Sequence, residues 1–481
     1  MSKSTCKKPS WSKTKAKTNK QVKQQESVTF SVIHPDAAGI DIGDTMHAVA
    51  VPADRDQSPV RQFGTFTCDL REIIVWLKYC RITSVAMEST GVYWKPLYAM
   101  LIEYDFDVWL VNSKQTKNIS GKKTDMEDAA WIQQLHSCGL LKRSFLPDDL
   151  TEALRSLVRH RRTLLQEASR YVQRIQKNLE LMNLKIHTVI NDIMGKTGKA
   201  IIEAIINGVR KGADFLPLID VRIQASEEEI IKSLEGNWRQ ENLFLVKLCY
   251  IQYQQLQEHV RACDKEVEGI LEQMMATQNE GIIEPVQEPL GSQNAAESSK
   301  AVVGSKQKKR KSKNSPVYNV RKYLHQIHGV DVLDIFGISE ISAMQIFAET
   351  GRDLSKWATG NHFVSWLNLC PNNKITGGKL ISSKLMKKTP NNAAIAFRAA
   401  ANGLQNTDNW LGDYFRRMRG KGGQKFAIVC TARKLALIYY KMVRYKVPFL
   451  PVDVKEYTEQ RKKAKIASLE KKLAELRKDA A

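Results

Sequence analysis

Over roughly residues 30–148, apolar residues come in short runs, not in helical steps. Ala37 to Ile42 and His47 to Val51 flank Gly43-Asp44, a tight-turn dipeptide, which predicts two strands closed as a hairpin. Ile82 to Met87 predicts a further strand, Gly91 to Tyr104 a helix, Val108 to Val111 a strand, and Asp125 to Leu141 a helix. That mixture predicts an α/β domain over 30–148.

The period then changes. Leu165, Ala168, Val172, Ile175, Leu179, Met182, Ile186 and Val189 alternate in steps of three and four, and Tyr253, Leu256, Val260, Cys263, Val267, Ile270 and Met274 repeat the rhythm. Such heptads specify a coiled-coil seam over 149–275, formed within the chain as an antiparallel hairpin or with another protomer. Two ordinary amphipathic helices in a bundle are the competing reading. Residues 276–318 lose periodicity and hold a basic run from Ser305 to Ser315, which reads as a flexible linker. Residues 319–447 read as a second, mostly helical domain. A charged helix, Val454 to Lys478, falls in the 448–481 tail. Residues 1–29, with eight lysines and one glutamate, read as a disordered basic arm.

Charge sharpens this division. The net charge is +23, which suits a polyanionic partner. Residues 30–148 carry 12 basic and 15 acidic side chains, whereas residues 319–447 carry 20 basic and 7 acidic. One region collects carboxylates and the other phosphate-binding charge. The eight cysteines include no C-x-x-C pair, which argues against zinc and for a reducing compartment. No apolar run predicts a membrane span or a secretory signal, so a cytoplasmic protein is expected, nucleoid-associated when bound to DNA.

Within the acidic region four carboxylates stand out. Asp41 sits between two isoleucines on the first strand, where an uncompensated charge is costly. Glu88 falls at the carboxyl end of a strand, where α/β domains build their sites. Asp125 and Asp128 lie three apart in Lys123-Thr-Asp-Met-Glu-Asp-Ala129, where Thr124 and Glu127 fit a capping box. That spacing puts both aspartates on one face of a first helical turn. Four converging carboxylates suit Mg2+, which takes oxygen ligands, and two such ions can serve both oxygens of a phosphoryl transfer. Acids in a first turn are also favoured by the helix dipole alone, so the conjunction carries the argument.

The segments Ala38-Gly-Ile-Asp-Ile-Gly43, Met87-Glu-Ser-Thr-Gly-Val-Tyr-Trp94 and Lys123-Thr-Asp-Met-Glu-Asp-Ala129 resemble the DEDD-type insertion-sequence transposases of the IS-one-ten family. The resemblance spans roughly residues 30–448. It implies a ribonuclease-H-like fold of the RuvC type for the first domain, with Asp41, Glu88, Asp125 and Asp128 as ligands of two Mg2+ ions, or Mn2+ in their place. It also implies DNA as donor and target, a structured guide RNA, and a homo-oligomer, with coiled-coil arms a means of pairing protomers. In the family, a Ser-Gly-Gly-Lys-like motif in the C-terminal domain supplies a serine that joins covalently to DNA.

This sequence has Ile375-Thr-Gly-Gly-Lys379, so Thr376 stands in the serine's place. A threonine hydroxyl can attack if activated, but its methyl crowds the approach. Ser382 and Ser383 lie off the motif, and Thr376 as a plain turn residue is the competing reading. Two further family segments correspond to Gly337-Ile-Ser339 and Leu367-Asn-Leu-Cys-Pro371. Lys379, Lys384, Lys387, Lys388, Arg416, Arg417, Arg419 and Lys421 are candidate contacts to nucleic acid, against a reading as solvated surface charge. Tyr414 and Phe415 are either a stacking pair or core. Two alternatives to a recombinase stay open: a Holliday-junction-type nuclease without a covalent intermediate, and an inactive nucleic-acid-binding descendant.

Overall fold

A computed structural model describes residues 31–89, 91–112, 124–279, 314–386 and 391–451, with scattered residues of a helix between 459 and 473. The basic arm, most of the basic linker, Lys387, Lys388 and most of the C-terminal charged helix lie outside the described residues. The chain divides into two compact units, residues 1–146 and 147–481.

The first unit is a five-stranded mixed sheet with helices on both faces. Its strands are β1 (Ala37–Ile42), β2 (His47–Ala50), β3 (Val60–Phe63), β4 (Ser84–Glu88) and β5 (Asp107–Val111), in the order β3-β2-β1-β4-β5. β1, β2 and β3 pair antiparallel, whereas β4 runs parallel to both β1 and β5. The β1–β2 turn closes through the Gly43 N–H donating to the Met46 carbonyl at 3.0 Å. β3 and the helix α1 (Thr67–Tyr79) were not foreseen from the sequence. The helix α2 is shorter than the run that predicted it, covering Trp94–Glu103.

Alternation along the strands decides which helix each residue meets. Ile40, Ile42, Val49, Val85 and Met87 bury against α1 and α2 with Ile73, Leu77, Leu97 and Leu101. The opposite face is alanine-rich, with Ala48, Ala50 and Ala86 under the helix α3 (Asp125–Ser137). Each large aliphatic side chain so buried contributes about 1.5–3 kcal/mol. The helix ends sooner than the predicted Leu141, because Gly139 turns left-handed with φ +65°.

The second unit is built on two long helices, α4 (Asp149–Leu181) and α8 (Gln240–Asn279). They run antiparallel: Arg161 near the start of α4 bonds Asp264 in the second half of α8, and the Met182 carbonyl just past α4 accepts from the Asn237 N–H just before α8. The heptad seam lies between them, displaced by a residue in places, with Leu164 and Leu271 buried where Leu165 and Ile270 are half-buried. The first seam overruns its helix. Asn183 turns left-handed at φ +62°, and Ile186 and Val189 belong to a separate turn, α5 (Ile186–Val189). Between the long helices, α6 (Lys196–Ile206) and α7 (Glu227–Ser233) fold onto their far end with Phe215 in the shared core.

The remainder packs on the near end as α9 (Val320–His328), α10 (Glu340–Thr350), α11 (Gly360–Trp366), α12 (Asn392–Gly403) and α13 (Trp410–Tyr445). A buried carboxylate, Glu349, joins this part to α4: the Arg159 guanidinium grips it with two bonds of 2.8 Å and the Asn392 amide donates at 3.0 Å. One element departs from the mostly helical expectation. β6 (Asn372–Thr376) and β7 (Lys379–Lys384) form a two-stranded hairpin.

Candidate active site

The geometry of the acidic residues follows from one close approach. Gly39 sits on β1 facing α3, and a Cβ built there would lie 2.2 Å from the Gln133 nitrogen and 2.5 Å from the Ala129 carbonyl oxygen. Helix backbone therefore rests on strand backbone. Asp41, two residues on, faces the same side. The Gln133 amide donates to the Ala37 carbonyl at 3.3 Å, while the residues of the α3 first turn lie toward the other end of the strand. The start of α3 thus lies over the carboxyl end of β1.

Glu88 arrives by register. Ile40 pairs with Met87 in the parallel β1–β4 ladder, so Glu88 stands one position further on, beside Asp41. Ala86, two residues back, faces α3, so Glu88 faces it too. The third and fourth carboxylates come from the first turn of α3. There the Thr124 hydroxyl accepts from the Glu127 N–H at 3.3 Å, and the Glu127 carboxylate accepts from the Thr124 N–H at 3.2 Å. Glu127 is thereby a capping group, and Asp125 and Asp128 remain on the first turn, exposed and half-buried respectively.

Asp41 feels the other three acids. Asp41 has its carboxyl pushed up to about 6, by burial first and then by the charges of Glu88, Asp125 and Asp128, against a lowering bond from the Ile42 N–H. Burial alone raises a carboxyl, and the further push from three charges means that each of those acids lies near enough to Asp41 to be felt there. The donors are all carboxylate oxygens, the chemistry that hard divalent cations require. Among the described residues, no three acidic, histidine or cysteine side chains are gathered tightly enough to hold an ion as they stand. The carboxylates share one side of the sheet without being drawn together.

Thr376 lies at the tip of the β6–β7 hairpin, exposed, and pairs with Lys379 across Gly377-Gly378. Those glycines have φ +55° and +77°, the left-handed pair a tight hairpin turn requires. Among the described residues no base is hydrogen-bonded to the Thr376 hydroxyl. Ser382 and Ser383 stand down the same ribbon, and Ser383 donates to the Asn373 side chain at 2.7 Å.

The candidate basic residues separate into groups. Lys379 and Lys384 are exposed on the hairpin. Arg416 donates to the Thr407 carbonyl at 2.9 Å, and Arg417 bonds Asp413 at 3.1 Å while stacking on Tyr414. Arg419 and Lys421 are exposed just before Gly422-Gly423, where α13 breaks at a kink. Phe415 is fully buried, which settles it as core.

Sequence reasoning missed Gly39, whose signal was a glycine within a strand. It also missed the left-handed turn at Asn368. Asn368 adopts φ +54°, a conformation asparagine tolerates better than most side chains.

A family model described as a transposase (DEDD type, IS110) matches residues 38–184 and so covers all four acids. A second, described as Transposase IS116/IS110/IS902 family, matches residues 331–416 and covers Thr376. No curated protein matches the chain. Two matches to models of this kind, in this order along one polypeptide, support an IS110-type transposase.

Proposed function

We propose that this transposase cuts and rejoins DNA at the carboxylates of Asp41, Glu88, Asp125 and Asp128, and that the first unit is a ribonuclease-H-like catalytic domain. The strand order β3-β2-β1-β4-β5, with only β2 opposed to its neighbour β1 among the three central strands, supports that fold. The observation that carries the site is the β1–β4 register that sets Glu88 beside Asp41, under the α3 first turn that bears Asp125 and Asp128; the Asp41 carboxyl, raised by burial first and then by the charges of those three acids, agrees with it. Asp41 and Glu88 hold fixed positions on adjacent strands, and Asp125 and Asp128 face them from a helix pinned by Gly39. Two Mg2+ ions bound by these residues, or Mn2+ in their place, would stabilise the attacking and leaving oxygens of a phosphoryl transfer.

The Thr376 hydroxyl is the nucleophile in this reading. Its oxygen forms a bond to phosphorus as the bond from phosphorus to a nucleoside oxygen breaks, the hydroxyl proton leaving to solvent or base; rejoining reverses both. Exposure at a hairpin tip suits a group that must reach DNA. A structured guide RNA is part of this reading, and the +23 charge suits two nucleic acids. Assembly of several copies through the long helices is supported by an exposed apolar stripe on α8, Phe244, Leu245, Leu248 and Ile251.

The test is strand cleavage of a donor duplex, with guide RNA supplied, in Mg2+ against EDTA. Asp41→Asn and Glu88→Gln must each abolish cleavage while leaving DNA binding intact. Full cleavage by either variant would overturn the site.

A further inference from the structure

The second unit carries a half-open cavity of about 540 Å³ outside both the acidic site and the hairpin. Its walls come from the start of α4, the end of α8, the loop after α10 and the last turn of α13. Four cations line it: Arg352, Lys356, Arg444 and Lys446. None was singled out by the sequence.

Two acids, Asp148 and Asp353, also reach the cavity. Local turns hold both, and Asp353 faces the cations as well: against the raising effect of burial, its carboxyl is held below its usual range by bonds from Ser355 and then by the charges of Arg444 and Lys356. The Asp148 carboxylate caps α4, accepting from the Thr151 N–H and hydroxyl at 2.9 Å each. Asp353 accepts from the Ser355 N–H at 2.7 Å and from its hydroxyl. Among the described residues, Arg352, Arg444 and Lys446 form no salt bridge. Neutral acceptors orient two of them instead. Arg352 donates to the Thr277 hydroxyl at 3.2 Å, and Lys446 to the His328 carbonyl at 2.7 Å.

Four cations against two acids leave the wall net positive, and the excess like charges repel one another unless a further anion joins them. The volume exceeds what a lone phosphate fills and falls within the range of ligand sites. Among the described residues no aromatic ring lines it; its apolar wall is Pro147, Ile327, Leu354 and Val443. Nothing there would stack a base. The chemistry fits phosphates on a chain and not the bases they carry.

We propose that this cavity is a separate nucleic-acid contact, gripping the sugar–phosphate backbone of a single strand through Arg352, Lys356, Arg444 and Lys446 without reading sequence. It rests on the reading of the chain as a nucleic-acid enzyme, though not on the metal chemistry.

The experiment is fluorescence anisotropy with labelled 20-nucleotide RNA and DNA strands of mixed sequence, in EDTA, over a range of salt. The full-length Arg352→Gln/Arg444→Gln variant should bind about tenfold more weakly. Its salt dependence should flatten by about 1.4 in log–log slope, about 0.7 for each phosphate contact on a single strand. Arg444→Glu alone, at an exposed guanidinium, should weaken binding too and serves if the Arg352 change impairs folding. The control Lys247→Gln/Arg261→Gln removes two exposed charges from α8 and should leave the slope near that of the wild type. An equal loss in the control would reduce the effect to general charge and overturn the proposal. Calorimetry with a free mononucleotide separates the other source of phosphate: a variant that loses mononucleotide binding but holds strands normally would also overturn it. Wild-type protein that binds neither strand would take down the transposase reading itself, whereas a binding wild type with an unchanged variant defeats only the cavity.

Discussion

Gly39 and Gln133 meet backbone to backbone: a Cβ on the glycine would lie 2.2 Å from the Gln133 nitrogen. That contact fixes how α3 lies on β1, and with it the approach of two aspartates on the α3 first turn to Asp41. A strand glycine ordinarily weakens a sheet. Here it lets two elements close to a distance that no other residue permits.

Gly39→Ala should therefore separate packing from chemistry only slightly. The added methyl must push α3 off the strand, costing about 1–3 kcal/mol as other overpacked cores do. Because the shift moves Asp125 and Asp128 away from Asp41, cleavage should fall by more than tenfold. Urea denaturation and a Mg2+ titration of cleavage read the two effects. Lowered stability with wild-type cleavage would show that the helix position does not matter to the acids.

A second expectation concerns pH. The Asp41 carboxyl is raised from an ordinary 3.8 to about 6, so the folded state holds its proton more tightly than the unfolded chain does. The stability it contributes is complete below pH 3.8 and is lost as pH rises through 6. In EDTA, wild-type thermal stability should thus fall between pH 4 and 7 relative to Asp41→Asn, and the asparagine variant should melt higher at pH 7.5. Adding Mg2+ should raise the melting temperature of the wild type at pH 7.5 and not that of the variant. Parallel curves for the two proteins across that range would contradict the burial of Asp41 beside like charges.

Which parts were legible in the sequence follows from the same physics. The β1–β2 hairpin announced itself through Gly43-Asp44, and the start of α3 through Thr124 and Glu127, because turns and caps are written in adjacent residues. β3 was not legible: Val60–Phe63 is a short strand with Arg61 and Gln62 exposed, so it lacks an apolar run. The β6–β7 hairpin was missed because both strands are almost wholly exposed and no buried face marks them. The heptads gave two long helices but not the break after Leu181, which depends on a left-handed Asn183 and on Gly236 admitting the returning chain against the Met182 carbonyl. The four acids stood out in the sequence only as a set, each being weak evidence alone. That Asp41 and Glu88 share a face needed the β1–β4 register, which no local pattern contains.

The pair Arg161–Asp264 offers a test of how the long helices are held. Both side chains are buried, bonded at 2.5 and 3.2 Å, and Asp264 also accepts from the Val317 N–H at 3.4 Å. Removing one partner strands a buried charge. Asp264→Ala should cost about 3–5 kcal/mol in chemical denaturation, whereas Arg161→Met/Asp264→Leu should recover much of the loss. A small effect of the single change would mean that water reaches the pair.

Thr376 divides the recombinase from its alternatives. It is exposed at a hairpin tip, where a surface change alters stability by no more than about 0.5 kcal/mol, so any loss of function there is chemical. Thr376→Ala should fold and bind DNA as the wild type does, yet form no covalent protein–DNA product and rejoin no strands. Thr376→Ser should keep the product and, by removing the methyl beside the attacking oxygen, form it at least as fast. Denaturing gel electrophoresis of labelled DNA after reaction reads the covalent species directly. If Thr376→Ala still cuts at the wild-type rate, water is the nucleophile, and the four carboxylates serve a junction-type nuclease. If instead neither wild type nor Thr376→Ser cuts while both bind DNA, the chain is an inactive descendant that keeps the acids without the reaction.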